Sequence, residues 1–327
     1  MYKQIILCCL VLVNLYCNGV EGYLQSNRTV LVNQGQYMSY LEYLPPTYSE
    51  SGGAKSPVII FLHGAGEVGG TVDTLQKLKN AYGSPPYMID KNTWPQSYPF
   101  IVLSPQIWGW WSCHFVHMLT KSVATKYPGA DTSRIYLTGL SMGGAGVVDT
   151  IRINKTVTDY YAAAIAICPA QQPGGTDYVA PVSSGLPILF FHNNGDPQVS
   201  ITNSQNWNNT LNDNNICPKT NLTVYTATSH DAWTKTYDPS SSFNVWNWFL
   251  QWTNVRPSGC GQPNTPEPTP TVTSPPQTTT STTTTSPPST TDTQSEIEGS
   301  KDNMSSAITL SSSISAILLL ISLVIIF

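Results

Sequence analysis

The sequence predicts an α/β protein in which a mainly parallel β-sheet carries helices on both faces and has an antiparallel N-terminal edge. Apolar runs with little polar interruption recur through the middle of the chain, and each suits a strand buried on both faces. Segments with helical patterns separate these runs, and this alternation indicates a parallel sheet. Residues 29–33 and 36–44 alternate in polarity around Asn33-Gln34-Gly35, which predicts a hairpin at one edge.

Each further element follows from its own stretch of sequence. VIIFLHG at residues 58–64 and FIVLSPQ at residues 100–106 are apolar runs typical of buried strands. The other predicted strands are residues 134–141, 161–168, 187–193 and 221–228. The predicted helices are residues 72–79, 112–126, 142–153, 199–212 and 242–252.

The N-terminal residues predict a processing signal. Residues 5–17 are apolar, follow Lys3 and precede small residues, which is the pattern of a secretory signal peptide covering residues 1–19. A buried core helix is the alternative, but such a helix shows polar residues at helical spacing and this run has almost none. Residues 20–262 then suit one folded domain. We expect this domain to be extracellular and monomeric.

The C-terminal residues predict a stalk and an anchor. Residues 263–303 are rich in Thr, Ser and Pro and have too little apolar surface for a core, so we expect a disordered, O-glycosylated stalk. Residues 304–327 end in an apolar run without a following basic residue, which indicates a GPI-anchor signal that is removed. The candidate attachment residues are Asn303 and Ser305, and the expected partner is the outer membrane leaflet. A membrane span without a cytoplasmic tail is the alternative.

Charge and sequons also fit a cell-surface protein. The formal net charge of −4 is too small to suggest nucleic acid as a partner. Within the expected domain, N-x-S/T sequons predict N-glycosylation at Asn27, Asn154, Asn208 and Asn221.

Four cysteines remain after removal of the signal peptide: Cys113, Cys168, Cys217 and Cys260. An even number in an oxidising compartment favours disulfides, although the sequence alone does not choose among the pairings. We expect Cys217 to pair with Cys260, because both flank the last strand and helix. The cysteines lack the pattern of metal ligands, so we expect no metal and no cofactor.

The strongest motif is G-x-S-x-G at residues 139–143, between a predicted strand and a predicted helix. In such a turn the glycines allow a strained backbone that exposes the serine hydroxyl. The turn also places the serine at a helix N-terminus, where the Met142 backbone N–H can face a developing oxyanion. Ser141 is therefore the candidate nucleophile.

A serine nucleophile needs a base and an acid, which follow it in this order of elements as acid and then histidine. His230 lies in a loop after a predicted strand and is the candidate base, whereas His192 lies within a strand and is interpreted as structural. Asp196 follows the penultimate strand and is the candidate acid that orients the imidazole. The competing acids are Asp177, Asp213 and Asp231.

Two further groups of residues are candidates for the site. The loop after the first central strand contains Ala65 among small residues, and its N–H is the expected second oxyanion donor. Tryptophans at the same edge of the sheet are candidate substrate contacts, with packing beneath the loops as an equally good interpretation. These tryptophans are Trp108, Trp110, Trp111 and Trp233.

The segments FLHGAGEVGG, FIVLSPQ, WGWW, DTSRIYLTGLSMGG, LPILFFHNNGDPQV and SHDAW occur in this order. Together they resemble secreted α/β-hydrolases of the predicted-peptidase, polyhydroxybutyrate-depolymerase-like and feruloyl-type esterase group, related to dienelactone hydrolase. The resemblance spans roughly residues 37–252 and implies an α/β-hydrolase fold with Ser141, Asp196 and His230 as the triad. One departure is Asn193-Asn194, where a glycine commonly follows the strand histidine.

The sequence therefore predicts a serine hydrolase that cleaves carboxylic esters on small molecules or polymers. A peptidase is one alternative. A non-catalytic adhesion or recognition protein on the same fold is another, although such a protein has no physical reason to retain all the catalytic groups.

Overall fold

A computed structural model describes residues 25–33 and 35–256 of the 327-residue chain. The predicted signal peptide, stalk and anchor signal lie outside these residues, so they stay predictions. Among the described residues, none of the helices combines the length and the apolar character that crossing a membrane requires.

Eight strands of the described chain form one sheet. The strands are β1 (Ser26–Asn33), β2 (Gln36–Tyr43), β3 (Ser56–Leu62), β4 (Ile101–Pro105), β5 (Ala130–Leu140), β6 (Ala163–Ile167), β7 (Ile188–Asn193) and β8 (Asn221–Tyr225). Their order is β1-β2-β4-β3-β5-β6-β7-β8. β2 pairs antiparallel with β1 and with β4, and the other neighbouring strands are parallel. The antiparallel edge is thus the predicted one.

Helices fill the connections between the strands. The 3₁₀ helices are Ala65–Glu67 and Val72–Asn80. The α-helices of the described residues are α1 (Pro85–Asp90), α2 (Cys113–Lys126), α3 (Met142–Ile151), α4 (Lys155–Thr158), α5 (Val179–Ser184), α6 (Thr202–Asp213), α7 (Trp233–Tyr237) and α8 (Val245–Phe249).

The helices cover both faces of the sheet, and each face has its own apolar core. On one face α2, α3 and α6 bury Leu119, Val147 and Trp207. On the other face α1 and α8 bury Ile89 and Trp246. All seven residues of β3 are buried between the two layers, which explains the uninterrupted apolar run in its sequence. Each large side chain buried in these cores contributes about 1.5–3 kcal/mol to stability.

The predicted sheet and the predicted longer helices are confirmed, with differences at their ends. β5 begins at Ala130, earlier than predicted, and β8 ends at Tyr225 before its predicted end. The helix predicted over residues 72–79 is a 3₁₀ helix. The last predicted helix begins only after Asn244, because the Asn244 side chain accepts hydrogen bonds from the first backbone N–H groups and so acts as its N-cap. Four short helices, α1, α4, α5 and α7, are missing from the prediction.

The three cysteines within the described residues fall into two classes. Cys217 is disulfide-bonded, whereas Cys113 and Cys168 are free thiols. The expected partner of Cys217, Cys260, lies outside the described residues, so that pairing stays a prediction. Cys168 follows β6 directly and lies at the edge of the sheet where the parallel strands have their carboxyl ends.

Candidate active site

Residues 139–143 turn sharply from β5 into α3, and Ser141 lies at the apex. Its backbone has φ 55° and ψ −117°, a conformation that L residues rarely adopt. Backbone hydrogen bonds on both sides of the residue hold it there. The Ser141 N–H donates to the Ile167 carbonyl over 2.9 Å, and the Ala145 N–H donates to the Ser141 carbonyl over 3.0 Å. Hydrogen bonds to the sheet and to the helix therefore hold Ser141 in its strained backbone conformation.

Close backbone approach explains the glycines around this turn. A Cβ on Gly143 would collide with the carbonyl oxygen of Leu62, and a Cβ on Gly139 would lie 2.5 Å from the Gly143 carbonyl oxygen. A Cβ on Gly144 would lie 2.5 Å from the Ile167 carbonyl oxygen. These contacts pack the N-terminus of α3 directly against β3 and β6. The motif is therefore a requirement of the backbone packing that presents Ser141.

The three predicted triad residues meet at the carboxyl ends of β5, β7 and β8. His230 Nε2 lies 2.8 Å from Ser141 Oγ, and His230 Nδ1 lies 2.6 Å from Asp196 Oδ2. The Asp196 side chain is fully buried and the His230 side chain is 10% exposed. The hydroxyl, the imidazole and the carboxylate thus form an unbroken hydrogen-bonded chain.

Asp196 is held as a carboxylate by its surroundings. Burial alone would raise its pKa, but the hydrogen bonds that it accepts outweigh burial and leave the pKa below its ordinary value. The backbone N–H groups of Gln198 and Val199 donate to Oδ1 over 2.8 Å and 3.0 Å. His230 Nδ1–H donates to Oδ2. The ring nitrogen facing Ser141 is then unprotonated and accepts the serine proton.

His192 lies beside the same carboxylate. Its Nε2 is 3.0 Å from the Val199 carbonyl oxygen and 3.3 Å from Asp196 Oδ2, and its Nδ1 is 2.7 Å from Ser204 Oγ. Because a carbonyl oxygen only accepts, Nε2 carries the proton and Nδ1 accepts from Ser204. Burial lowers the pKa of His192 and favours this neutral form. His192 is structural, as its position in a strand predicts, and it supports the loop that contains Asp196.

The two expected oxyanion donors both begin a helix. Met142 is the first residue of α3, and the first N–H groups of a helix have no intrahelical partner. Ala65 is the exposed first residue of its 3₁₀ helix. The neighbouring Gly64 N–H is already used, because it donates to Glu67 Oε2 over 3.1 Å. In this loop Ala65 therefore remains the better donor for a substrate oxygen.

Side chains brace the loop that contains Ala65. The Gln106 amide Nε2 donates to the carbonyl oxygens of Glu67 and Thr74 over 2.7 Å and 3.0 Å, and Thr74 Oγ1 donates to Gln106 Oε1 over 2.7 Å. Burial raises the pKa of Glu67, whose carboxyl group accepts the Gly64 N–H. This network fixes the direction of the loop backbone, as a preorganised oxyanion site requires.

His63 links the same loop to Ile107, which follows the carboxyl end of β4. Its Nε2 accepts the Ile107 N–H over 3.2 Å, so its Nδ1 carries the proton that reaches the Gly64 carbonyl oxygen over 2.6 Å. A protonated ring could not accept from Ile107. Burial lowers the pKa of His63 to about 4, which agrees with this neutral form. His63 is therefore a structural residue of the loop.

This arrangement predicts a loss of stability in acid. A neutral His63 with a folded pKa of about 4 and an ordinary value of 6.5 stabilises the fold fully above pH 6.5, and this contribution falls as the pH drops from 6.5 to 4. At 1.36 kcal/mol per pH unit, it amounts to about 3 kcal/mol. Denaturant unfolding of wild type and His63→Gln at several pH values measures it. The difference in unfolding free energy should shrink across this window, and a constant difference would contradict the assignment.

The tryptophans after β4 have different environments. The Trp108 and Trp110 side chains are 64% and 65% exposed at the sheet edge, as substrate contacts require. Trp111 is only 5% exposed, and its Nε1 donates to the His63 carbonyl oxygen over 3.0 Å. Its ring also packs against Gly146, where a Cβ would lie 2.6 Å from Trp111 Cγ. The substrate-contact prediction for Trp111 is therefore replaced by a packing role.

Trp233 packs directly against the candidate base. Its ring meets the His230 ring edge-on with centroids 5.4 Å apart, and its Nε1 donates to the Tyr82 carbonyl oxygen over 3.0 Å. The partly buried indole therefore limits the positions open to His230 and borders the site at the same time. An exposed Tyr82 continues the aromatic border on this side.

Cys168 is a neighbour of the triad that the sequence interpretation does not include. Its thiol, an Asp196 oxygen and a His230 nitrogen lie within 4.8 Å of one another, close enough for three ligands of one metal ion. The Asp196 oxygen and the His230 nitrogens already serve the hydrogen-bonded chain, however, and burial raises the pKa of the Cys168 thiol. A buried, protonated thiol is a poor ligand and a poor nucleophile. The arrangement therefore fits a serine triad better than a metal centre.

The loop bracing and the neighbours of the acid could not be found from motifs. Gln106 is the last residue of a predicted strand and Glu67 lies in the loop that contains Ala65, but neither position has a spacing that marks it as functional. The sequence indicates a disulfide role for Cys168 and no role as a metal ligand. The end of its strand was predicted, and strand ends on this edge are the one signal that places it near the site.

Comparisons with known proteins identify the fold of this chain. No protein-family profile and no curated protein matches the chain. Among solved structures, a thermostable esterase is 25% identical with a TM-score of 0.54, and the match covers 72% of this chain and 64% of the esterase. An acylaminoacyl peptidase of Pyrococcus horikoshii is 13% identical with a TM-score of 0.50, covering 75% and 44%. Dipeptidyl peptidase 4 of Porphyromonas gingivalis is 12% identical with a TM-score of 0.51, covering 70% and 36%.

This chain thus spans less than two thirds of the length of each of these three proteins. Together with the eight-stranded, mostly parallel sheet, the matches give the chain the α/β-hydrolase fold with an antiparallel edge.

Proposed function

We propose that this chain is an extracellular serine hydrolase that cleaves carboxylic esters through an acyl-enzyme intermediate. The observation that supports it most is the hydrogen-bonded chain from Ser141 Oγ through His230 to the buried Asp196 carboxylate. The strained turn at Ser141 and the donors at Met142 and Ala65 add the remaining groups that acyl transfer needs. The proposed reaction uses no metal and no cofactor.

The geometry accounts for each step of the proposed reaction. Ser141 Oγ attacks the ester carbonyl carbon while His230 Nε2 takes the hydroxyl proton, and Asp196 stabilises the imidazolium that results. The carbonyl oxygen becomes an oxyanion, which the Met142 and Ala65 N–H groups bind. Collapse breaks the bond to the alcohol, which leaves with the proton from His230. Water then attacks the acyl carbon while His230 Nε2 takes a proton from it. The bond from Ser141 Oγ to the acyl carbon breaks, the carboxylic acid leaves, and Oγ regains its proton from His230.

Esters are the better substrates on chemical grounds. An alcohol leaves more easily than an amine, so it depends less on proton donation from His230. The resemblance to feruloyl-type and polyhydroxybutyrate-depolymerase-like esterases is consistent with this choice, and the same group includes predicted peptidases. We propose that the exposed indoles of Trp108 and Trp110 contact the substrate.

A panel of matched substrates tests the choice between ester and amide. Acetyl, feruloyl and longer-chain p-nitrophenyl esters are compared with the p-nitroanilides of the same acyl groups on the purified protein. We expect hydrolysis of at least one ester, with its matched amide slower by about 100-fold or more. An anilide cleaved faster than the matched ester would instead establish a peptidase.

We further propose that the enzyme is held at the cell surface by a lipid anchor, with the Thr/Ser/Pro-rich segment as its stalk. A lipase specific for phosphatidylinositol should then release active enzyme from intact cells, because residues 304–327 would have been exchanged for the lipid. Activity in the medium after treatment measures the release. Protein that stays on treated cells and keeps an epitope inserted near Phe327 would show an uncleaved membrane span instead.

A further inference from the structure

The sheet ends in two edge strands within the described residues, β1 on one side and β8 on the other. An edge strand presents unpaired backbone N–H and C=O groups along its outer side, and these can pair with a strand of another molecule. Folded proteins usually protect such edges with charged side chains, proline or an irregular register. The two edges of this sheet differ in that protection.

The β1 edge has conventional protection. It carries Arg28, whose guanidinium binds Glu42 and whose side chain is 52% exposed. Its pairing with β2 shifts register between Leu31 and Asn33. A charged side chain and an irregular ladder both disfavour the addition of another strand.

The β8 edge lacks these features along most of its length. Its sequence, NLTVY, contains no charged residue and no proline, and Thr, Val and Tyr favour strands. Val224 is 46% exposed, which leaves an apolar side chain open at the edge. Lys235 lies over the Tyr225 ring with its Nζ 4.5 Å from the centroid, so charge protects only the carboxyl end of the strand.

The amino end of β8 carries a sequon. Asn221 is the first residue of the strand, its side chain is exposed, and Thr223 completes the N-x-T triplet. The sequons away from the sheet are in different settings. Asn154 caps α4 by accepting the Val157 N–H over 2.9 Å, and Asn208 lies partly buried on α6.

We propose that an N-linked glycan on Asn221 covers the β8 edge and keeps the enzyme from associating with a second copy of itself through strand addition. A hydrated glycan at the start of a five-residue strand occupies the space that a pairing strand needs. Without it, two β8 strands can pair antiparallel about a twofold axis and join two sheets into one. The inference rests on the proposed secretory route, because only that route attaches the glycan.

Variants of the full chain, expressed in cultured animal cells, test the proposal. Asn221→Gln removes the sequon by changing its asparagine, and Thr223→Val removes it by changing its threonine. Thr223→Ser retains the sequon. Asn154→Gln removes a glycan away from the edge. Asn221→Gln/Val224→Lys removes the glycan and places a charge at the exposed position 224 instead. Size-exclusion chromatography with light scattering gives the protein mass of each in the same mild detergent, and glycopeptide mass spectrometry gives the occupancy of each sequon.

The protein mass of Asn221→Gln and Thr223→Val should about double as the concentration rises, as in a twofold dimer. Wild type, Thr223→Ser, Asn154→Gln and the lysine variant should keep the mass of a monomer. Two results would overturn the inference alone: an unmodified Asn221 beside an occupied Asn27 or Asn154, or a monomeric Asn221→Gln at every concentration. A wild-type protein without any N-glycan would overturn the secretory route together with it.

Discussion

Ser141→Ala is expected to lower kcat/KM for ester hydrolysis by about 10³-fold or more, with little change in melting temperature. The alanine cannot attack the carbonyl, so only substrate binding and the oxyanion donors remain to accelerate hydrolysis. The fold should persist because the change removes one oxygen and leaves the backbone hydrogen bonds of residue 141 in place. Initial rates with p-nitrophenyl acetate and a thermal unfolding scan measure the two effects.

Ser112→Ala is the matched control for this variant. Ser112 precedes α2 on the same side of the molecule, and its side chain makes no capping hydrogen bond to that helix. It should keep wild-type turnover. Turnover near the wild-type rate in Ser141→Ala would show that another group is the nucleophile.

Asp196→Asn is expected to lower kcat by about 10³- to 10⁴-fold, a cost typical of triad acids, while the fold stays intact. The carboxylate uses Oδ1 for the Gln198 and Val199 N–H groups and Oδ2 for His230, with His192 Nε2 also 3.3 Å from Oδ2. An asparagine that keeps the backbone bonds must turn its NH₂ group toward His230. The imidazole then accepts at Nδ1 and carries its proton on Nε2, so it cannot take the proton of Ser141. Steady-state kinetics and a melting curve are the measurements.

The competing acids supply the controls for this prediction. Asp177 forms an ion pair with Arg152 over 2.8 Å, and Asp213 is exposed at the end of α6. Asp231 accepts hydrogen bonds from the Thr234 N–H and hydroxyl group. Asp177→Asn and Asp213→Asn should therefore keep most of the activity. Greater damage from either of them than from Asp196→Asn would remove Asp196 from the triad.

Hydrophobic patterning predicted most of the fold, because the central parallel strands are buried on both faces. β3 and β6 are buried at every position, and their sequences contain the apolar runs VIIFL and AAIAI, which hydrophobic patterning detects readily. The short helices left no such signal. α4 and α7 contain four and five residues, which is too few to establish a helical period.

The positions of Ser141, Asp196 and His230 followed from local sequence, since each lies in the turn or loop that follows a predictable strand. Their distances did not, because they depend on the register of β5, β7 and β8. The sequence also could not predict which of the tryptophans are exposed and which are buried. Trp110 and Trp111 are neighbours in one short loop, yet one is exposed and the other is buried against His63.

The central claim is that Ser141 is an activated nucleophile, and a covalent label tests it most directly. A fluorophosphonate reacts with a serine hydroxyl only when a neighbouring base accepts its proton. The wild-type protein should gain one phosphonyl group, and peptide mass spectrometry should place it on Ser141, while Ser141→Ala and boiled wild type stay unlabelled. A folded wild-type protein without label would contradict the account and favour a non-catalytic surface protein. A label on any other serine would contradict the assignment of the nucleophile.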